Sequence, residues 1–309
     1  MSDNAITALN VSKTFRFLHK REVRALAGVD LVVPRGCALG VVGPNGAGKT
    51  TLLKILLGLL RPDRGEIQLF GAPPTACASK PRIGYLPELF SFHSHMTGRA
   101  LLLLLGRCSE IDKESLSLSI TQWSERLELS HALDRPFGSY SNGMKRRIGL
   151  IQAVLAKPDL LVLDEPLSGV DPAGRELIFD SLVEERRRGA TTIMSSHVIP
   201  DVERACERLV MIGSGSVLLE GQITDLVAMT DETWELTVTI ARQEQAVSIG
   251  AAGYELAHFS PTLARVVCNA GRRDTLERLL RDLDVRIVGL APGRRRLEDV
   301  YRRALDASA

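Results

Sequence analysis

The chain has 309 residues, 45% of them hydrophobic and 25% charged, enough apolar material for a packed core and for one to three domains. Its 39 basic and 37 acidic residues leave a net charge of +2, so no basic excess marks it as a nucleic-acid binder. The 5 cysteines are scattered without a C-x-x-C pair, which argues against a disulfide framework and against a zinc site.

Along roughly the first 225 residues, short apolar runs alternate with helical patterns, the sign of a sheet with crossover helices. Ala38–Val42 reads as a buried strand, and Lys49–Leu60 as an apolar helix stopped by Arg61-Pro-Asp-Arg-Gly65. Glu66–Phe70 and Ile83–Leu86 read as strands, and Thr97 to Ala156 as mainly helical. Leu160–Leu163, Thr191–Met194 and Leu209–Ile212 are further strands, the last turning through Gly213-Ser-Gly215 into Val217–Leu219. The character changes near residue 230. Beyond it, Trp234–Ile240, Leu263–Val267 and Val285–Val288 are strand-like, and Thr275–Leu283 and Leu297–Leu305 helical. The expected division is a domain over 1–230 and a small α+β unit over 231–309. That unit, of about 75 residues, holds no catalytic motif and makes a marginal core, which fits an accessory or dimer-bracing role.

The longest purely apolar run, Ala100–Leu105, is far shorter than the roughly 18 residues a membrane span needs. The opening Met-Ser-Asp-Asn-Ala lacks the basic and apolar regions of a signal peptide. A soluble, cytoplasmic chain is expected, with any membrane role supplied by a partner.

Gly43-Pro44-Asn45-Gly46-Ala47-Gly48-Lys49-Thr50 follows a strand and opens a helix, the context a phosphate-binding loop requires. Its glycines let backbone N–H groups turn towards phosphate oxygens, and the helix N-terminus adds partial positive charge. Lys49 can reach the terminal phosphates of ATP, the Thr50 hydroxyl can ligate Mg²⁺, and Thr51 completes the ATP-binding run. Leu160–Leu163 ends in Asp164 and Glu165. After a phosphate loop, such an acid pair supplies a metal-assisting aspartate and a carboxylate that polarises the attacking water. His93 and His95 form an H-x-H in a loop, and with no third ligand nearby a metal pair is the disfavoured reading.

Those motifs define a P-loop NTPase, and the next ones resemble the ABC family. Tyr140-Ser141-Asn142-Gly143-Met144 is similar to the L-S-G-G-Q signature, with Asn142 in place of a glycine and Met144 in place of the glutamine. Ser168-Gly-Val-Asp171 resembles the D-loop, and Ser195-Ser196-His197 the switch histidine. Ile83-Gly-Tyr-Leu-Pro87-Glu88 resembles the Q-loop region, with Glu88 where glutamine is usual. Ser12-Lys13-Thr14-Phe15 resembles the segment whose aromatic ring stacks on adenine, with Phe15 the candidate and Phe17 its rival. Arg296-Leu-Glu-Asp-Val-Tyr301 resembles the closing segment of subunits that serve ABC-2, exporter-type permeases.

The resemblance implies a P-loop α/β core of ABC ATPase type, with an antiparallel β portion and a helical arm over about residues 90–156, followed by the small α+β domain. It implies an ATPase in which Lys49, Glu165 and His197 are catalytic, and Thr50, Asp164 and Glu88 are the Mg²⁺ set. Ser141 and Gly143 would complete the ATP site of a second ATPase subunit, a copy or a paralogue. The other implied partner is a membrane permease that would hold the chain at the inner face of the cell membrane. The alternative is a soluble ABC ATPase acting without a permease.

Overall fold

A computed structural model describes residues 3–16, 22–74, 82–228, 233–258, 260–293 and 297–307. The chain divides into two units: residues 1–223 with 304–309, and residues 224–303. The division therefore falls slightly earlier than the composition change suggests, and the last residues group with the first unit.

In the first unit the elements run β1 (Asn4–Phe15), β2 (Val23–Pro34), β3 (Ala38–Val42), α1 (Lys49–Leu56), β4 (Arg64–Leu69), β5 (Ile83–Leu86), α2 (Gly98–Cys108), α3 (Lys113–Arg126), α4 (Asn142–Val154), β6 (Leu160–Asp164), α5 (Pro172–Arg187), β7 (Thr191–Ser196), α6 (Ile199–Ala205), β8 (Arg208–Gly213) and β9 (Ser216–Gln222). Helix α7 (Ile223–Ala228) follows.

A six-stranded sheet has the order β5-β6-β7-β3-β8-β9, parallel except for the β8–β9 hairpin. Every residue of β3, β6 and β7 is buried, as in strands covered on both faces, although β7 carries Thr191, Thr192, Ser195 and Ser196. The hairpin turn has positive φ at Ser214 and Gly215, the twist-compatible geometry of a two-residue loop. A second, antiparallel sheet has the order β2-β1-β4. Ile6, Leu31 and Val33 from this sheet share one core with Leu52, Leu53 and Leu56 of α1 and with Leu39, Val41, Leu160 and Ile193 of the parallel strands.

Helix α1 stops at Leu56, short of the expected Leu60. Gly58 takes φ +70°, and the Leu59 N–H reaches back to the Lys54 carbonyl, so a left-handed glycine cap closes the helix. The arm helices begin on side-chain caps: Thr97 accepts from the Ala100 N–H, Asp112 from Ser115, and Ser141 from Met144.

The second unit continues with β10 (Thr233–Thr239), α8 (Gln243–Ala251), β11 (Glu255–His258), β12 (Leu263–Asn269), α9 (Arg273–Asp282), β13 (Arg286–Pro292) and the start of α10 (Leu297–Asp306), whose last residues group with the first unit. Its four strands pair antiparallel in the order β11-β12-β10-β13, a βαββαβ arrangement of the split βαβ kind. Leu236 and Val238 alternate with half-buried residues along β10, and with Val266, Ile249, Leu276 and Leu280 they form a separate core. Among the described residues no helix is long and apolar enough to cross a membrane.

Candidate active site

Strands β3, β5, β6 and β7 run parallel, so their C-terminal ends open at one edge of the sheet. Ligands of open α/β sheets bind there. Val42 lies level with Ser196, Asp164 with Ser195 and Leu86 with Leu163. This register brings together the phosphate loop after β3, Glu88 after β5, Glu165 after β6 and His197 after β7.

The loop leaves β3 at Gly43 and enters α1 at Lys49. Gly48 has φ +106°, and a Cβ there would stand 2.4 Å from the Ala25 carbonyl oxygen, so only glycine fits without displacement. Lys49 is buried, and its Nζ donates to the carbonyls of Gly43 at 2.7 Å and Pro44 at 3.3 Å. The same Nζ lies 3.5 Å from Glu165 Oε1.

Asp164 is fully buried. The Ser195 hydroxyl donates to Asp164 Oδ1 at 2.5 Å and accepts from the Glu165 N–H at 2.9 Å, so one serine fixes both members of the acid pair. Glu165 has φ +49°, an uncommon conformation for a side-chain-bearing residue that turns its carboxylate out of the strand line. Its Oε2 lies 3.0 Å from His197 Nδ1, and the imidazole is half exposed. Asp164 Oδ2 and Glu165 Oε1 are buried without a hydrogen bond. Glu165 Oε1 still faces the Lys49 ammonium, whereas Asp164 Oδ2 suits a cation or a water. The Tyr85 hydroxyl is also buried there, and burial, reinforced by Asp164 and Glu88, pushes it up to about 12.

A cavity of about 330 Å³ is lined by Phe15, Val23, Ala25, Pro44 to Thr51, Glu88 and Glu165. It joins the aromatic candidate, the phosphate loop, the Q-loop acid and the acid pair. Gly43 and Asp164 stand outside the lining, as does His197, which reaches it through Glu165. Phe17 lies outside the described residues. Ser141 and Gly143 are also absent from this lining. Ser141 caps α4, and a Cβ at Gly143 would meet Asp171 Oδ1 at 3.4 Å, so the signature and D-loop segments adjoin each other.

No group of three or more His, Cys, Asp and Glu side chains is arranged to hold a metal among the described residues. The oxygen donors present, Thr50 and the unsatisfied Asp164 Oδ2, suit Mg²⁺, which takes one or two protein ligands and completes its shell with phosphate and water. Two residues here escape motif reading. Ser195 precedes the switch histidine yet secures the acid pair, and Arg146 on α4 is buried and donates to the Pro87 carbonyl at 2.8 Å.

Residues 26–168 match the ABC transporter family model. An uncharacterised ABC transporter ATP-binding protein of Synechocystis sp. is 32% identical over 98% of this chain and 85% of its own length. The Nod factor export ATP-binding protein I of Burkholderia lata is 37% identical over 67% of this chain and 69% of its own. The daunorubicin resistance ATP-binding protein DrrA3 of Streptomyces coeruleorubidus is 34% identical over 74% and 72%. Among solved structures, the ATP-binding subunit of an ABC transporter superposes with a TM-score of 0.64 at 24% identity, covering 72% of this chain and 92% of that one. A dimeric ATP-binding cassette in a post-hydrolysis state, bound to ADP and Pi, gives 0.63 at 21% identity, covering 71% and 98%. The strand-end constellation and these relatives agree, and the chain belongs to the ATP-binding proteins of the ABC transporter family, an ATP-hydrolysing subunit.

Proposed function

We propose that this chain is the motor subunit of an exporter-type transporter, hydrolysing ATP to drive cargo through a separate membrane permease. The observation that carries the catalytic part is the one cavity shared by the phosphate loop, Lys49, Glu88 and Glu165. The N–H groups of the loop and Lys49 hold the β- and γ-phosphates. Phe15 stacks on adenine. Thr50, Asp164 and Glu88 would hold Mg²⁺, which when bound would neutralise charge on the phosphates. Glu165 takes the proton from the attacking water as the γ-phosphoryl group leaves ADP. His197, hydrogen-bonded to Glu165, holds that carboxylate and the water in line. Ser141 and Gly143 serve the ATP of a second subunit, in keeping with their place outside this cavity and with a dimeric relative bound to ADP and Pi.

A permease partner is supported by relatives named for Nod factor export and daunorubicin resistance. It is also supported by a groove beside the site, lined by Leu89, Phe90, Phe137, Asn142, Lys145 and Ser168, on whose rim Leu89 is 87% exposed. Such a groove suits a partner's helix. The test is to isolate the native assembly from membranes in mild detergent. A multi-span subunit in stoichiometric amount is expected. Recovery of the chain alone, still active, would favour an ATPase that works without a permease.

A further inference from the structure

Helix α4 presses unusually close to β5. A Cβ at Gly84 would stand 2.0 Å from the Ala153 carbonyl oxygen, and one at Gly149 would stand 2.6 Å from Leu86 Cδ1. Residues 146, 149 and 153 share a helix face by their i, i+3, i+7 spacing. The face that packs on β5 therefore carries Arg146 to the strand's end, where it donates to the Pro87 carbonyl at 2.8 Å. Only 9% of Arg146 is exposed. Burial holds its guanidinium below the ordinary arginine value, and the charges of Glu88, Asp164 and Glu165 oppose it.

A buried charge needs a compensating one. Two buried cations neighbour these carboxylates. Lys49 stands on the phosphate-loop side, 3.5 Å from Glu165, and Arg146 on the signature-helix side. Lys49 belongs to the phosphates once ATP is bound. Arg146 is the side-chain cation that stays beside Pro87 and Glu88 when Mg²⁺ and ATP come and go, and it sits on the helix whose first turn is capped by Ser141.

We infer that Arg146 is a positioning residue: it counterbalances Glu88 and ties the Pro87–Glu88 turn to the signature helix, so that the Q-loop acid and the signature move as one piece. The inference rests on the ATPase reading of the site. It assigns Glu88 and Arg146 as a matched pair, in which neutralising one partner harms the site and neutralising both relieves it.

The experiment is a double-mutant cycle of Arg146→Gln and Glu88→Gln, read by ATP turnover at saturating Mg²⁺ and by the thermal midpoint of the nucleotide-free protein. With Glu88 present, Arg146→Gln is expected to lower turnover about tenfold, and with Gln at 88 less than twofold, a coupling of the size charged neighbours show. The midpoint should follow the same pattern. Arg146→Lys, which keeps the charge, should stay within about threefold of wild type. Equal losses from Arg146→Gln in both backgrounds would overturn the pairing and leave Arg146 as a mere prop under Pro87. If Arg146→Gln alone is insoluble, recovery of soluble protein on adding Glu88→Gln supports the inference, and continued insolubility overturns it. A wild-type protein without turnover would count against the ATPase reading instead, and the midpoint cycle would still decide the pairing.

Discussion

Replacing Gly48 with alanine tests the phosphate loop through geometry alone. The backbone there has φ +106°, and the new Cβ would sit 2.4 Å from the Ala25 carbonyl oxygen and 3.0 Å from Leu26 Cδ2. Ordinary contact begins at 3.4 Å, so the loop must retreat from β2 by about 1 Å or rotate Gly48 out of its conformation. A misplacement of about 1 Å costs on the order of 100-fold in rate. The backbone strain adds about 1–3 kcal/mol to the destabilisation. Gly189→Ala is the matched control, because Gly189 has φ +93° with nothing within 4 Å of its Cβ position and lies away from the site. Both variants should lose stability in urea, but only Gly48→Ala should lose ATP binding and turnover. Equal turnover in Gly48→Ala and wild type would refute the claim that this loop conformation builds the phosphate site. So would a Gly189→Ala loss as large as that of Gly48→Ala.

Ser195→Ala removes the hydroxyl that serves both Asp164 and Glu165, leaving the buried Glu165 N–H unpaired. It should cost about 1–3 kcal/mol in stability and depress turnover with little change in nucleotide affinity, checked by urea unfolding and a fluorescent ATP analogue. Ser141→Arg should abolish turnover but spare ATP binding by the monomer, and mixing it with Lys49→Ala should restore one composite site at best. Loss of monomer binding would place Ser141 in the site of its own chain. Asp63 accepts from Lys13 Nζ at 2.8 Å and from the Thr14 N–H at 2.7 Å, and the bond from Lys13 is the main cause that holds its carboxyl below the ordinary 3.8. A depressed folded-state value gives stability that is present above 3.8 and lost as pH falls through the folded value. Asp63→Asn should therefore flatten the acid limb of the stability profile, and an unchanged slope would count against that contact.

The parts of the fold that were readable in the chain are those whose residues announce burial locally. Strands β3 and β6 are unbroken apolar runs because helices or sheet cover both faces. The long β1–β2 pair escaped periodicity, since exposed Leu9 and Asn10 and half-buried Ser12 to Thr14 interrupt β1, and register shifts break its alternation. Helix α8 was equally hidden, because Gln243-Glu-Gln245 opens it with polar residues and only Gln245 and Ile249 are buried. The site followed the same rule. The phosphate loop and acid pair are contiguous in sequence, so their chemistry is legible as strings. The roles of Ser195 and Arg146 arise only when β7 lies beside β6 and α4 beside β5, contacts set by packing between distant segments. Leu60 illustrates the limit of composition at a helix end, where the left-handed Gly58 overrides an apolar pattern that runs on.

If Glu165 activates water against a phosphate held by Lys49, phosphate release from ATP measures it directly. With Mg²⁺ present, wild type should release phosphate, while Lys49→Ala and Glu165→Gln should each fall by about 10²–10³. Glu165→Gln should still bind ATP, because the amide keeps the side chain's shape while losing its basicity. Equal rates for all three proteins would contradict these two roles.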